Sequence, residues 1–179
     1  MASTTPHSRT LPQLVAQSAA DYGERLAISD GDVVLSYRQL DAARIDAARA
    51  FLAAGLEPGE RIAIWAPNIY QWIIAAIGAQ SIGGVLVPLN TRMKGHEAAY
   101  ILRASAARML FTVGDFLGVN YPALLDGESL PAMNRRVMLE GEAEGCESWD
   151  AFLAAGAGIT EAEVAKRAAA VNADDPLDI

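Results

Sequence analysis

RIAIWAPNIYQWIIAAIGAQSIGGVLVPLNTR, residues 61–92, decides the fold, because no Asp, Glu, Lys or Arg falls between its two end arginines, Arg61 and Arg92. A membrane-spanning helix needs about 20 consecutive apolar residues with every backbone polar group satisfied internally. This run is broken at Pro67-Asn68, at Gly83-Gly84 and at Pro88 with Asn90, so its longest helix covers about residues 69–82, too short to span. The pieces between the breaks are informative. RIAIWA (61–66) and VLVPLN (85–90) are apolar and partly β-branched, the pattern of strands buried on both faces of a parallel sheet. Ile69, Trp72, Ile73, Ala76 and Ile77 recur between them at helical spacing. The run reads as strand, helix, strand: a crossover unit whose helix packs back on the sheet.

Working outward, LPQLVAQSAADYG (11–23) reads as a helix with Pro12 in its first turn and Gly23 at its end. RLAISDGDVVLSY (25–37) offers two short strands about Asp30-Gly31, a tight hairpin signal. Ser36 is an N-cap candidate for an alanine-rich helix that Gly55 ends. Beyond the central run, HEAAYILRASAA (96–107) reads as a helix and RMLFTVG (108–114) as a strand. VNYPALLDG follows as a loop or short helix, then RRVMLE (135–140) as a strand, with helices at SWDAFLAAG and TEAEVAKRAAA. The expected fold class is α/β, a largely parallel sheet flanked by helices, occupying residues 11–179 behind a flexible polar leader at 1–10.

Composition narrows the function classes. The 179 residues are 52% hydrophobic and 20% charged, which describes a globular protein with a generous core. A formal net charge of -8 argues against a nucleic-acid partner, since phosphate backbones are held by clustered Lys and Arg. The acidic run EGEAEG (140–145) reads as a solvated loop. No signal-peptide pattern opens the chain, no transmembrane segment is expected, and the single cysteine permits no internal disulfide. A cytoplasmic location is the expectation.

Candidate chemical groups are few. His7 lies in the leader and His96 near a helix start, neither with a second ligand at metal-binding spacing. Cys146 sits in the acidic loop, where neighbouring carboxylates are expected to raise its pKa and blunt it as a nucleophile. Asp174-Asp175 reads as a solvated turn before Pro176 rather than an acid/base pair. Trp65, Tyr70 and Trp72 are expected to pack in the core rather than line an apolar ligand tunnel. No G-x-G-x-x-G follows a strand and no Walker-type loop occurs. Gly83-Gly84 follows a helix instead, as a terminator or tight turn into the next strand. Residue by residue the chain is therefore silent on chemistry, and no catalytic, cofactor-binding or metal-binding residue is expected in it.

A resemblance takes the reading further. LSYRQL (35–40) resembles the L-(S/T)-Y-x-E-L block of adenylate-forming (AMP-binding) enzymes, with Gln39 where Glu is usual. GLEPGERIAIWAPN (55–68) and GAQSIGGVLVPLNTR (78–92) resemble two further blocks of that family, in the family's order. FLGVNYPALLDGESLPAMNRRVML (116–139) is most similar to bacterial acyl-CoA ligases, including those acting on steroid-derived propanoic acids. The resemblance implies an acid-thiol ligase in which ATP and a carboxylate give an acyl-adenylate and pyrophosphate, and the thiol of CoA then displaces AMP. The implied cofactors are ATP, Mg²⁺ and CoA, and the implied partner is a hydrophobic carboxylic acid, fatty or steroid-derived, with homo-oligomerisation a further expectation. The family's phosphate loop, T-S-G-(S/T)-T-G-x-P-K-G, belongs a few residues beyond VNADDPLDI (171–179), so the chain is expected to be an amino-terminal portion and inactive alone. The alternative is a stand-alone α/β binding or oligomerisation module without chemistry.

Overall fold

The charge-free run forms β3 (Arg61–Trp65), α3 (Tyr70–Gln80) and β4 (Val85–Pro88). The structure is a computed structural model and describes residues 9–179; His7 and most of the polar leader lie outside the described residues. β3 and β4 run parallel, Arg61 opposite Val85 through Ile64 opposite Pro88. The glycine pair turns helix into strand as its spacing suggests. Gly83 has φ 88°, and a Cβ on Gly84 would lie 2.9 Å from the Ala79 carbonyl oxygen, too close for any side chain.

β5 (Met109–Val113), β8 (Arg135–Glu140) and β9 (Glu147–Ser148) complete a five-stranded sheet of order β4-β3-β5-β8-β9, parallel throughout. Every residue of β5, and Ile62 through Trp65 of β3, is buried, which explains strands that lack polar alternation. The chain steps from β3 outward to β4 and then back across β3 to β5, with α4 (Gly95–Ala104) as the second crossover. Right-handed crossovers in opposite directions place α3 and α4 on opposite faces of the sheet. α1 (Leu11–Tyr22) and α2 (Tyr37–Ala53) pack with α3, and α5 (Trp149–Ala154) and α6 (Glu161–Ala169) join them against α2. α4 packs against the single turn Ala123–Leu125.

Aromatic rings tie the helical layer to the sheet. Phe51 of α2, Phe111 of β5 and Phe152 of α5 are fully buried, with ring centroids 5.0 to 5.2 Å apart, and Trp149 stacks on Phe152 at 5.6 Å. α2 and α3 approach so closely that a Cβ on Gly78 would fall 2.5 Å from the Ala47 Cβ. β1 (Leu26–Asp30) and β2 (Val33–Ser36) form the antiparallel hairpin signalled by Asp30-Gly31. Ser36 then caps α2 reciprocally: Gln39 N donates to Ser36 Oγ at 3.2 Å and Ser36 N donates to Gln39 Oε1 at 2.8 Å. Gln39 accepts there as a Glu would, so its departure from the family block leaves the cap intact.

Three features depart from the sequence reading. Residues 115–120, in the stretch read as a loop or short helix, form a small hairpin of β6 (Asp115–Phe116) and β7 (Val119–Asn120). β9 is an added two-residue edge strand. Asp178 makes a parallel bridge to Leu86 on the outer edge of β4, with Leu86 N donating to the Leu177 carbonyl and Ile179 N to the Leu86 carbonyl, both at 3.0 Å. These pairings are too short or too distant in sequence to leave a periodic signal. No helix among the described residues is long and apolar enough to cross a membrane.

Candidate functional site

In an open α/β sheet, ligands bind beyond the carboxyl ends of the strands, where the strand order reverses. Here the order reverses at β3, and a crevice of about 540 Å³ opens beyond the ends of β3 and β4. Ala66, Pro67 and Asn68 bound it after β3, and Leu89, Asn90 and Thr91 after β4. Trp72 from the first turn of α3 and Phe116 from β6 supply aromatic walls.

The floor of this crevice is held by a chain of hydrogen bonds. Trp65 is fully buried, its Nε1 donates to the Asn90 carbonyl at 3.0 Å, and Thr112 Oγ1 donates to the Trp65 carbonyl at 2.8 Å. Tyr121 lies against Trp65 with ring centroids 4.7 Å apart and donates its hydroxyl to the Thr91 carbonyl at 3.0 Å. Burial raises the Tyr121 phenol above its ordinary value, so it stays a donor at neutral pH. The Asn90 side chain is engaged in its own turn, its Oδ1 accepting from Arg92 N at 2.9 Å.

A second groove, about 360 Å³, lies on the other side of the Pro67–Ile69 loop, between β1 and the start of α3. Ile28, Ile69, Tyr70 and Ile73 line it, and Asn68 and Trp72 border both spaces. Ile69 offers no side-chain acceptor to cap α3, and Asp30 from the β1–β2 hairpin substitutes: its Oδ2 accepts from Tyr70 N at 2.9 Å. The three aromatics expected in the core therefore separate. Trp65 is core, whereas Tyr70 and Trp72 are half-buried, packing on the core and facing open grooves.

The other candidates are bland. His96 is exposed in the first turn of α4. Asp174 and Asp175 are exposed, and Asp175 Oδ2 accepts from Asn172 N at 2.7 Å, closing the expected turn. The Cys146 thiol is raised as anticipated, but the cause differs: burial lifts it, and the nearby charge that acts on it is the Arg136 guanidinium, which opposes the rise. The loop's carboxylates Glu142 and Glu144 point to solvent. Among the described residues no three His, Cys, Asp or Glu side chains gather as a metal site. The crevice can enclose an apolar body and offer amide and hydroxyl contacts at its rim. Among the described residues that line it there is no cysteine, serine, histidine or carboxylate.

The arrangement has close counterparts. The model of the AMP-binding enzyme family matches residues 15–177. A 3-[(3aS,4S,7aS)-7a-methyl-1,5-dioxo-octahydro-1H-inden-4-yl]propanoyl:CoA ligase of Rhodococcus jostii is 39% identical over 181 residues, covering 98% of this chain and 35% of that protein. The ligase of the same name from Mycobacterium tuberculosis is 39% identical over 171 residues, covering 96% and 33%. This chain thus spans about a third of the length of these relatives. Among solved structures, the anthranilate CoA ligase AuaEII in complex with anthranoyl-AMP superposes with a TM-score of 0.74 at 24% identity, over 86% of this chain and 29% of that one. A Mycobacterium tuberculosis fatty acyl CoA synthetase gives 0.67 at 20% identity, over 94% and 30%. These two likenesses speak for the fold, and the family match together with the ligase relatives settles the lineage: the chain belongs to the AMP-binding enzyme family.

Proposed function

We propose that this chain serves the ATP-dependent conversion of a hydrophobic carboxylic acid, fatty or steroid-derived, to its CoA thioester, as the amino-terminal α/β portion of an acyl-CoA ligase. The observation that carries the reading is the crevice beyond β3 and β4, with apolar walls of Trp72, Phe116 and Leu89, in a chain matched by propanoyl:CoA ligases over nearly its whole length. In this role the chain supplies the sheet and one wall of the space that receives the acid.

The residues present do not fit ATP-Mg²⁺. No glycine-rich phosphate loop follows any strand, no carboxylate cluster among the described residues could hold a divalent cation, and the net charge of -8 disfavours a triphosphate. Adenylation therefore has to draw on groups outside this chain, and the 179 residues alone are inactive in this reading. The test is a chimera in which this chain replaces the matching third of the Rhodococcus jostii ligase. Thioester formation is then measured over a panel of fatty and steroid-derived acids, with a thermal transition as proof of folding. Acid-dependent thioester supports the reading; a folded chimera inert towards every acid favours the stand-alone binding module.

A further inference from the structure

Two non-glycine residues adopt left-handed backbone, Ala106 with φ 49° and Leu117 with φ 53°. Ala106 merely ends α4, but Leu117 occupies the tip of the β6–β7 hairpin, followed by Gly118 with φ 77°. A two-residue turn with both φ values positive favours Asn, Asp or Gly at its first position, and leucine there is strained. Leu117 is also 88% exposed, more than any other large hydrophobic among the described residues. The tip thus carries two costs, strain and apolar exposure, where a polar turn residue would carry neither.

The hairpin's position explains what such a residue could serve. Phe116, its immediate neighbour, forms part of the crevice wall. The feet are fixed: Gly114 N donates to the Glu140 carbonyl at 3.1 Å, Tyr121 N donates to the Gly114 carbonyl at 3.3 Å, and Tyr121 is held on Trp65 and Thr91. Between these feet only two residue pairs hold the strands together. On the β4–α4 loop, Arg92 and Lys94 follow the lining residue Thr91, both exposed and neither in an ion pair with a described residue. Two cations that pair with no described residue, shortly after a crevice whose walls include Trp72, Phe116 and Leu89, complement a ligand with an anionic head and an apolar body.

We propose that the Asp115–Asn120 hairpin is a flap, and that Leu117 closes onto the apolar body of a carboxylate ligand seated between Trp72 and Phe116. This inference rests on the acid-activation reading and makes Leu117 a determinant of how bulky an acid is accepted. Closure buries the leucine that the open form exposes, so ligand binding recovers the cost of its apolar exposure.

The test uses the 179-residue chain and a fluorescent apolar carboxylate, cis-parinaric acid, titrated against the wild type and the variants Leu117→Gly, Leu117→Asn and Leu124→Ala, each also melted thermally. The wild type binds saturably. Both Leu117 variants raise the melting temperature by about 3 °C, because the left-handed strain is relieved, and both weaken binding about tenfold, the loss expected for one buried leucine contact. Leu124→Ala, on the turn that packs against α4 and outside the crevice lining, leaves binding unchanged. Wild-type affinity in both Leu117 variants overturns the flap while leaving the acid-activation reading intact. Equal weakening by Leu124→Ala also overturns it, since binding would then be surface adsorption. Absence of any wild-type binding overturns the flap together with the crevice as an acid site.

Discussion

The hydroxyl of Tyr121 donates to the main-chain carbonyl of Thr91 at 3.0 Å, pinning the segment after the β6–β7 hairpin to the loop that leaves β4. This bond crosses the floor of the crevice, and Trp65 lies beneath it. Tyr121→Phe removes the donor while keeping the ring, and leaves the Thr91 carbonyl without that partner. The expected cost is about 1 kcal/mol, or about 2–4 °C in melting temperature for a chain of this size. Differential scanning calorimetry checks it, and an unchanged transition would mean that water replaces the tyrosine without loss.

Gly78→Ala reverses the usual rule for helices. An exposed helical glycine replaced by alanine gains about 0.5–1 kcal/mol. At position 78 the new methyl group meets the Ala47 Cβ and the α2 backbone, so α2 and α3 have to separate. The expected result is a loss of about 1–3 kcal/mol by denaturant unfolding, with the double variant Ala47→Gly/Gly78→Ala recovering part of it.

Arg44 is buried, paired with Asp41 at 2.7 Å and donating to Ser81 Oγ at 3.1 Å. Asp41→Ala strands its guanidinium without a counter-charge and costs about 3 kcal/mol, whereas Asp41→Ala with Arg44→Met restores much of the loss. Urea midpoints of the two variants decide the matter, and a double variant less stable than the single one contradicts this account.

Acid stability has an identifiable contributor in Glu60. Partial burial pushes its carboxyl upward, but the Glu57 N–H and the Arg108 guanidinium, with Arg61 nearby, outweigh this and hold it below its ordinary value of 4.5. A carboxyl depressed on folding contributes stability that is present above its unfolded value and lost as pH falls through the folded one. Glu60→Gln should therefore lower stability at pH 7 and flatten the decline below pH 4.5. Parallel wild-type and variant curves through that window would remove Glu60 from the account.

The legible parts of this fold are those where one physical signal spans several residues. The charge-free run announces buried parallel strands, and Pro67 and Gly83 bound the helix between them. The β6–β7 hairpin escaped because its strands are two residues long and its turn opens with Leu117, where Asn or Asp would have flagged it. The Asp178–Leu86 bridge joins positions remote in sequence, so nothing local encodes it. The division of labour among Trp65, Tyr70 and Trp72 depends on where β1 and β6 settle, which the apolar character of the three residues does not specify. The crevice is likewise a property of strand order, visible only once β4 and β5 are known to flank β3.

The central proposal is that this chain forms one wall of an acid-activating enzyme whose ATP-handling groups lie outside these 179 residues. The most direct measurement is carboxylate-dependent exchange of labelled pyrophosphate into ATP, run on the 179-residue chain and on its chimera with the downstream two-thirds of the Rhodococcus jostii ligase. The account predicts no exchange by the chain alone with any acid, and exchange by the chimera that requires a hydrophobic carboxylic acid. Exchange catalysed by the 179 residues on their own, or a folded chimera that fails with every acid offered, would contradict it.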